Sequence, residues 1–244
     1  MKRHIPNLLT MANLVCGAIA VIVLSDCTVS SMGYWPALLF LAAFFDLLDG
    51  AVARALGVSG EMGKQLDSLA DVVSFGLVPS LLVYRLLEES LPPSLMWMRW
   101  MSMFQVCTAA YRLARFNIST DQTTDFRGMP SPAHGLFWAA LVLSLTELDW
   151  PQAIGWTNWS IVVVLLSALT GWLMVSNLRM FAFKFKPGGF RANTIPYIYI
   201  GSLPVLAIGG LWLLPGVLTT VVVALLWYIV LSMVYAMQHR TSQS

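Results

Sequence analysis

Residues 44–54 read Phe44-Phe45-Asp46-Leu47-Leu48-Asp49-Gly50-Ala51-Val52-Ala53-Arg54, the last third of an apolar stretch that carries two carboxylates. A second pair, Asp67 and Asp71, opens the next apolar stretch after the short connection 58–65. At about 100° per residue, Asp46, Asp49, Gly50 and Ala53 share one helix face, and Asp67 and Asp71, four apart, share a face of the next helix. The short connection makes these helices antiparallel neighbours, so the two faces can meet. An ionised carboxylate at the centre of a bilayer costs about 2.5–3.5 kcal/mol, and four cost roughly 10 kcal/mol or more. A countercharge is therefore expected among them.

The rest of the chain supports a membrane setting. Of its 244 residues 58% are hydrophobic and 11% charged, and the mean hydropathy is +0.73. A soluble domain carries about 45–50% apolar and about 25% charged residues. This composition excludes a secreted disulfide scaffold, a nucleic-acid-binding domain and a soluble enzyme. It leaves an all-α polytopic integral membrane bundle, with residues 1–244 as a single membrane domain. Eight apolar segments are predicted as helices, at about 7–24, 34–57, 66–88, 94–117, 132–149, 157–180, 194–214 and 216–238. Backbone polar groups have no partners in lipid, so spans must be helical.

Charge orients them. All but Arg85 and Arg99 of the 14 basic residues flank connections on one side, from Lys2 and Arg3 through Arg54, Lys64, Arg112, Arg115 and Arg127 to Arg179, Lys184, Lys186, Arg191 and Arg240. The positive-inside rule then puts both termini in the cytoplasm, in agreement with an even number of spans. Ser25-Asp26-Cys27 is a poor cleavage site, so the first segment is expected to be a retained helix rather than a signal peptide. Cys16, Cys27 and Cys107 form no spaced pair and suggest no metal or redox role.

Four carboxylates near the cytoplasmic ends of two helices are most economically offset by two divalent cations. Oxygen ligands select hard ions, Mg²⁺, Mn²⁺ or Ca²⁺, over Zn²⁺. A metal pair about 3.5–4 Å apart is the usual arrangement for phosphoryl chemistry. Gly50 and Ala53 leave room for a substrate beside the acids, and Arg54, Gly63 and Lys64 border the mouth, so the constellation suits a diphosphate. Taken singly, each residue has a blander reading: a paired structural aspartate, a packing glycine, an arginine anchor that snorkels. The weight rests on their combination.

The run Asp46-x2-Asp49-Gly50-x2-Ala53-Arg54-x8-Gly63-x3-Asp67-x3-Asp71 resembles, at every defined position, the signature of the CDP-alcohol phosphotransferase family. Residues 6–17, 111–117 and 126–133 look like the phosphatidylserine synthase branch, with Met129 where that branch usually has leucine. This likeness covers about residues 1–135. It implies transfer of a phosphatidyl group from CDP-diacylglycerol to L-serine, giving phosphatidylserine and CMP. It implies that Asp46, Asp49 and Asp67 ligate the metals and that Asp71 serves as ligand and general base. It also implies that Gly50, Ala53, Arg54 and Gly63, with Thr10 and Asn13, line the CDP site. The catalytic core would then be about 1–180, followed by a helical hairpin at about 194–238. A homodimer in the cytoplasmic membrane, its active site facing the cytoplasm, is the implied assembly, with membrane lipid as its surroundings and no nucleic acid as a partner.

Elementary chemistry supports that division of labour. A serine hydroxyl is a weak nucleophile at neutral pH, and a carboxylate within about 3 Å can take its proton. Asp71 is best placed if metals occupy the other three acids. The serine carboxylate needs a cation, for which Arg112, Arg115 and Arg127 are candidates, and Asn117 can support the ammonium or hydroxyl. His134, after the Pro130–Pro132 turn, is expected to be a solvated or hydrogen-bonded loop histidine. The alternatives are the same chemistry on glycerol phosphate, inositol phosphate or choline, and, from another class, an ion-coupled transporter. A transporter would place its acids near the midplane and repeat them in inverted halves, whereas these acids sit at one side and are not repeated.

Overall fold

The computed structural model describes residues 4–26, 33, 35–58, 60–118, 126–145, 155–180, 193–213 and 217–240. Helix α1 spans His4–Asp26. A 3-10 turn at Trp35–Ala37 leads into α2, Leu38–Leu56. Gly57 ends α2 in the left-handed conformation (φ 62°), and its N–H donates back to the carbonyls of Ala53 and Arg54. Gly60 then leads extended chain into α3, Glu61–Asp71. A π-helical segment, Val72–Leu77, joins α3 to α4, Val78–Ser90, in one 30-residue rod.

Pro92 and Pro93 break that rod. A 3-10 stretch, Pro93–Ser102, precedes α5, Met103–Ile118. Near the start of α5 the Val106 N–H donates to the Ser80 hydroxyl of α4 at 3.1 Å. Then come α6, Ser131–Leu145; α7, Trp156–Val175; α8, Thr194–Leu213; and α9, Val217–Arg240. A two-residue ladder pairs β1, Phe126–Arg127, antiparallel with β2, Arg179–Met180. This small clasp is an addition to an otherwise all-α bundle.

The buried core runs through α4, α6, α7 and α9, around Leu82, Leu87, Trp138, Leu173 and Tyr228. Large apolar side chains also point outward along the long helices, among them Leu8, Ile22, Leu47, Leu165 and Val205. A water-facing surface does not carry such a continuous apolar coat, and a lipid-facing one does. The protein is an integral membrane helix bundle.

Five described helical stretches are long and apolar enough to cross a bilayer: His4–Asp26, Trp35–Leu56, Glu61–Ser90, Asn158–Val175 and Leu218–Met237. The other three expected segments also contain described helix. The fourth is divided between a 3-10 stretch and the 16 residues of α5. The fifth has 15 described helical residues, about 22 Å at 1.5 Å each against about 30 Å of hydrocarbon. Its expected end, 146–149, lies outside the described residues. Helix α8, Thr194–Leu213, is 20 residues long and contains Pro204.

The two basic residues off the charge pattern are explained by a local cluster. Glu88 accepts from Arg85 and from Arg99 at 2.6 Å each, and Arg85 also donates to the Leu24 carbonyl at the end of α1. Arg99 lies over the rings of Tyr84 and Trp100. Glu88 follows Asp71 by 17 residues along one rod, so this clamp stands about 25 Å from the aspartates.

Candidate active site

Helix α1 presents Thr10, Asn13 and Gly17 along one face, at helical spacings of three and four. This face packs on α2, α3 and the π segment. The Thr10 hydroxyl lies 2.5 Å from Asp49 Oδ2 and 3.1 Å from the Pro6 carbonyl. The Asn13 amide donates to Asp71 Oδ1 at 3.4 Å. The Ser74 hydroxyl in turn donates to the Asn13 carbonyl at 3.1 Å. So α1 supplies one polar contact to each carboxylate pair. Gly17 lets the helices close up, for a methyl there would overlap the Ser74 hydroxyl and stand 3.0 Å from its Cα.

Asp46, Asp49 and Asp67 each bring a ligating atom within 4.8 Å of the others. The expected meeting of the two acidic faces is therefore realised. Asp67 Oδ1 is buried with no hydrogen-bond partner. Among the described residues both ion pairs involve Glu88, and neither reaches these acids. Three converging carboxylates with a buried orphan oxygen are a hard-ion ligand set, and a bound divalent cation fits them.

Asp71 stands outside that group of three. It is 5% exposed, and its second oxygen accepts from the Ser131 hydroxyl at 3.0 Å. Ser131 accepts in turn from Arg112 Nη1 at 3.1 Å. The relay Arg112 to Ser131 to Asp71 joins α5, the start of α6 and the end of α3. The Nε of Arg112 is buried without a partner.

The border residues differ from expectation in what they touch. Arg54 is exposed and folds back over Gly50, its Nη1 3.3 Å from where a Gly50 side chain would begin. The small residue makes room for the guanidinium of its own helix. Ala53 is half-buried one turn along. A side chain begun at Gly63 would stand 3.4 Å from the Asn7 Oδ1. Lys64 donates to the Asn117 carbonyl at 3.0 Å and lies over the Phe116 ring. The Asn117 amide donates to Ser68 at 2.9 Å and Gln65 at 3.3 Å. Lys64 and Asn117 thus tie α3 to the end of α5.

Arg112 and Arg115 diverge. Arg115 donates to the Val175 carbonyl at 3.4 Å and to Asn177, at the end of α7. The Arg127 backbone lies in β1, and its side chain is outside the described residues. The clasp is held by Gly128, whose N–H donates to the Leu178 carbonyl at 2.9 Å, and by Met129, whose N–H donates to the Leu173 carbonyl at 3.0 Å. Gly128 has φ 78°, and a methyl there would overlap the Met174 carbonyl.

Two residues gain a place that sequence reasoning did not assign. Ser131 lies within the 126–133 stretch, but nothing local marks it as the partner of Asp71. His134 is not a loop histidine: it is fully buried inside α6, with Nδ1 3.1 Å from the Phe75 carbonyl.

A family model described as CDP-alcohol phosphatidyltransferase matches residues 3–182. The chain is 32% identical over 182 residues to the CDP-diacylglycerol–serine O-phosphatidyltransferase of Bacillus subtilis, covering 75% of this chain and 92% of that one. It is 32% identical over 222 residues to the enzyme of the same name from Helicobacter pylori strain 26695, covering 87% and 89%. It is 34% identical over 135 residues to the archaetidylserine synthase of Methanothermobacter thermautotrophicus, covering 52% and 53%. Similarity thus runs well past residue 135, where the motif resemblance stops.

Proposed function

The chain belongs to the CDP-alcohol phosphatidyltransferase family, a metal-dependent group of membrane enzymes, and from that premise we propose that it transfers the phosphatidyl group of CDP-diacylglycerol to L-serine. The observation that carries the reading is the convergence of Asp46, Asp49 and Asp67 beside a separately held Asp71. Serine is favoured as acceptor because the relatives named above make serine lipids, whether the lipid half is phosphatidyl or archaetidyl.

In this reading Asp46, Asp49 and Asp67, with Asp71 as a further ligand, would hold two divalent cations, Mg²⁺ or Mn²⁺. When bound, the ions offset the diphosphate charge and stabilise the departing CMP. Asp71 takes the proton of the serine hydroxyl as its oxygen bonds to the lipid-side phosphorus. The bond from that phosphorus to the CMP oxygen breaks in the same displacement, and CMP leaves with its electron pair. Asn13 and Ser131 hold Asp71 in place for this transfer. Gly50, Ala53, Arg54, Gly63 and Lys64, with Thr10 and Asn13, border the CDP site. Arg112, Arg115, Arg127 and Asn117 are the acceptor-side residues, and Arg112, with its buried unpaired Nε, suits the serine carboxylate best.

The catalytic unit is about residues 1–180, with the hairpin at about 194–238 appended, and it works as a homodimer. The site faces the cytoplasm from the cytoplasmic membrane, so the acyl chains stay in the inner leaflet while a soluble amino acid reaches the phosphorus. Purified protein supplied with CDP-diacylglycerol and Mg²⁺ or Mn²⁺ should release CMP with serine. Glycerol phosphate, inositol phosphate and choline should be inactive. Release with glycerol phosphate and none with serine would overturn the acceptor.

A further inference from the structure

The 61–90 rod changes its hydrogen bonding immediately after Asp71, and the chain itself shows why. In an α-helix the Phe75 carbonyl would accept from the N–H of residue 79. Residue 79 is proline, which has no N–H and whose ring crowds that same carbonyl. The segment Val72–Leu77 is π-helical instead, with the Val78 N–H reaching the Val73 carbonyl. Within a membrane a carbonyl freed by proline is satisfied again by a π adjustment, a side-chain donor or a neighbouring helix. For Phe75 the donor is His134 Nδ1, at 3.1 Å. A carbonyl only accepts, so the imidazole carries its proton on Nδ1.

The surroundings leave this turn little freedom. Ser74 and Phe75 are fully buried. Three glycine approaches close on it from three helices: Gly17 of α1 on Ser74, Gly135 of α6 with a methyl position 2.7 Å from the Phe75 ring, and Gly76 itself, where a methyl would stand 3.0 Å from the Ala109 Cβ of α5. His134 lies one helical turn after Ser131. One face of α6 therefore grips both the π turn, through His134, and Asp71, through Ser131.

We propose that His134 is a positioning residue, whose bond to the Phe75 carbonyl holds the π turn in the register that directs Asp71 at Ser131 and Asn13. The effect on turnover rests on the proposed role of Asp71; the effect on the turn does not. His134→Leu removes the bond, His134→Asn keeps a donor where Nδ1 stands, and His134→Gln places it where Nε2 stands. Each variant is purified in detergent and assayed for CMP release, and amide hydrogen exchange is followed over residues 72–80. The expected result for His134→Leu is at least a tenfold loss of kcat, with KM for both substrates within twofold, and at least tenfold faster exchange. His134→Asn should recover most of both and His134→Gln neither. Equal defects in the Asn and Gln variants would overturn the proposal, as would unchanged exchange in His134→Leu or a loss confined to KM. If His134→Leu does not fold, the Asn and Gln pair decides alone. Should Asp71→Asn keep normal turnover, the Asp71 reading fails, while the exchange pattern still judges His134.

Discussion

Replacing Ser131 with alanine tests how Asp71 is held. The hydroxyl donates to Asp71 at 3.0 Å, accepts from Arg112 at 3.1 Å and is fully buried, so no water is at hand to replace it. A hydrogen bond to a charged group contributes about 1.5–3 kcal/mol. If all of it is lost in the transition state, turnover falls about 10- to 150-fold, at about 1.4 kcal/mol per tenfold. The removed volume is one oxygen, so packing should hardly change. The assay is CMP release in mixed micelles at saturating CDP-diacylglycerol and serine, repeated on an Asp71→Asn background. Groups that act through one another are not additive, so the alanine should cost less than threefold there. Turnover within twofold of the parent, or the full loss repeated without the Asp71 carboxylate, would refute the relay.

Thr10→Val removes the hydroxyl 2.5 Å from Asp49 while keeping its shape. Half-saturation for Mn²⁺ in the CMP assay should rise about tenfold, as for other groups that orient a metal ligand. Gly128→Ala asks an alanine to adopt φ 78° against the Met174 carbonyl. It should cost about 2–4 kcal/mol, seen as an earlier thermal transition in detergent, with the clasp that seats α6 loosened. Glu88→Gln strands Arg85 and Arg99, all three being about a quarter exposed. It should cost about 1 kcal/mol of stability, and turnover per folded molecule should stay within twofold because the clamp is far from the acids.

The acidic faces were legible because helical period alone brings Asp46 beside Asp49 and Asp67 beside Asp71. Helical period does not divide those four acids into three and one; the family resemblance implied that division, but not the contact that holds Asp71. Ser131, which sets Asp71 apart, comes 60 residues later in the chain, and no local spacing reports that contact. His134 was misplaced for a different reason. Pro130 and Pro132 read as a turn, but a helix accepts proline in its first turn, where the N–H has no partner anyway. The helix therefore starts at Ser131 and carries His134 into the core. Hydropathy also missed how one segment winds, because a run of apolar residues does not show that 93–102 is a 3-10 helix. Lys64 was read as a diphosphate donor from its place at the mouth; its bond to the Asn117 carbonyl depends on where α5 ends.

The central claim is that Asp46, Asp49 and Asp67 bind divalent cations that the reaction requires. Mn²⁺ binding to purified protein, followed by electron paramagnetic resonance without substrate, tests it most directly. Saturable binding is expected, at least tenfold weaker in Asp67→Asn, whose buried Oδ1 is the orphan oxygen of the cluster. Unchanged Mn²⁺ binding in Asp67→Asn, or CMP release undiminished by excess chelator, would contradict it.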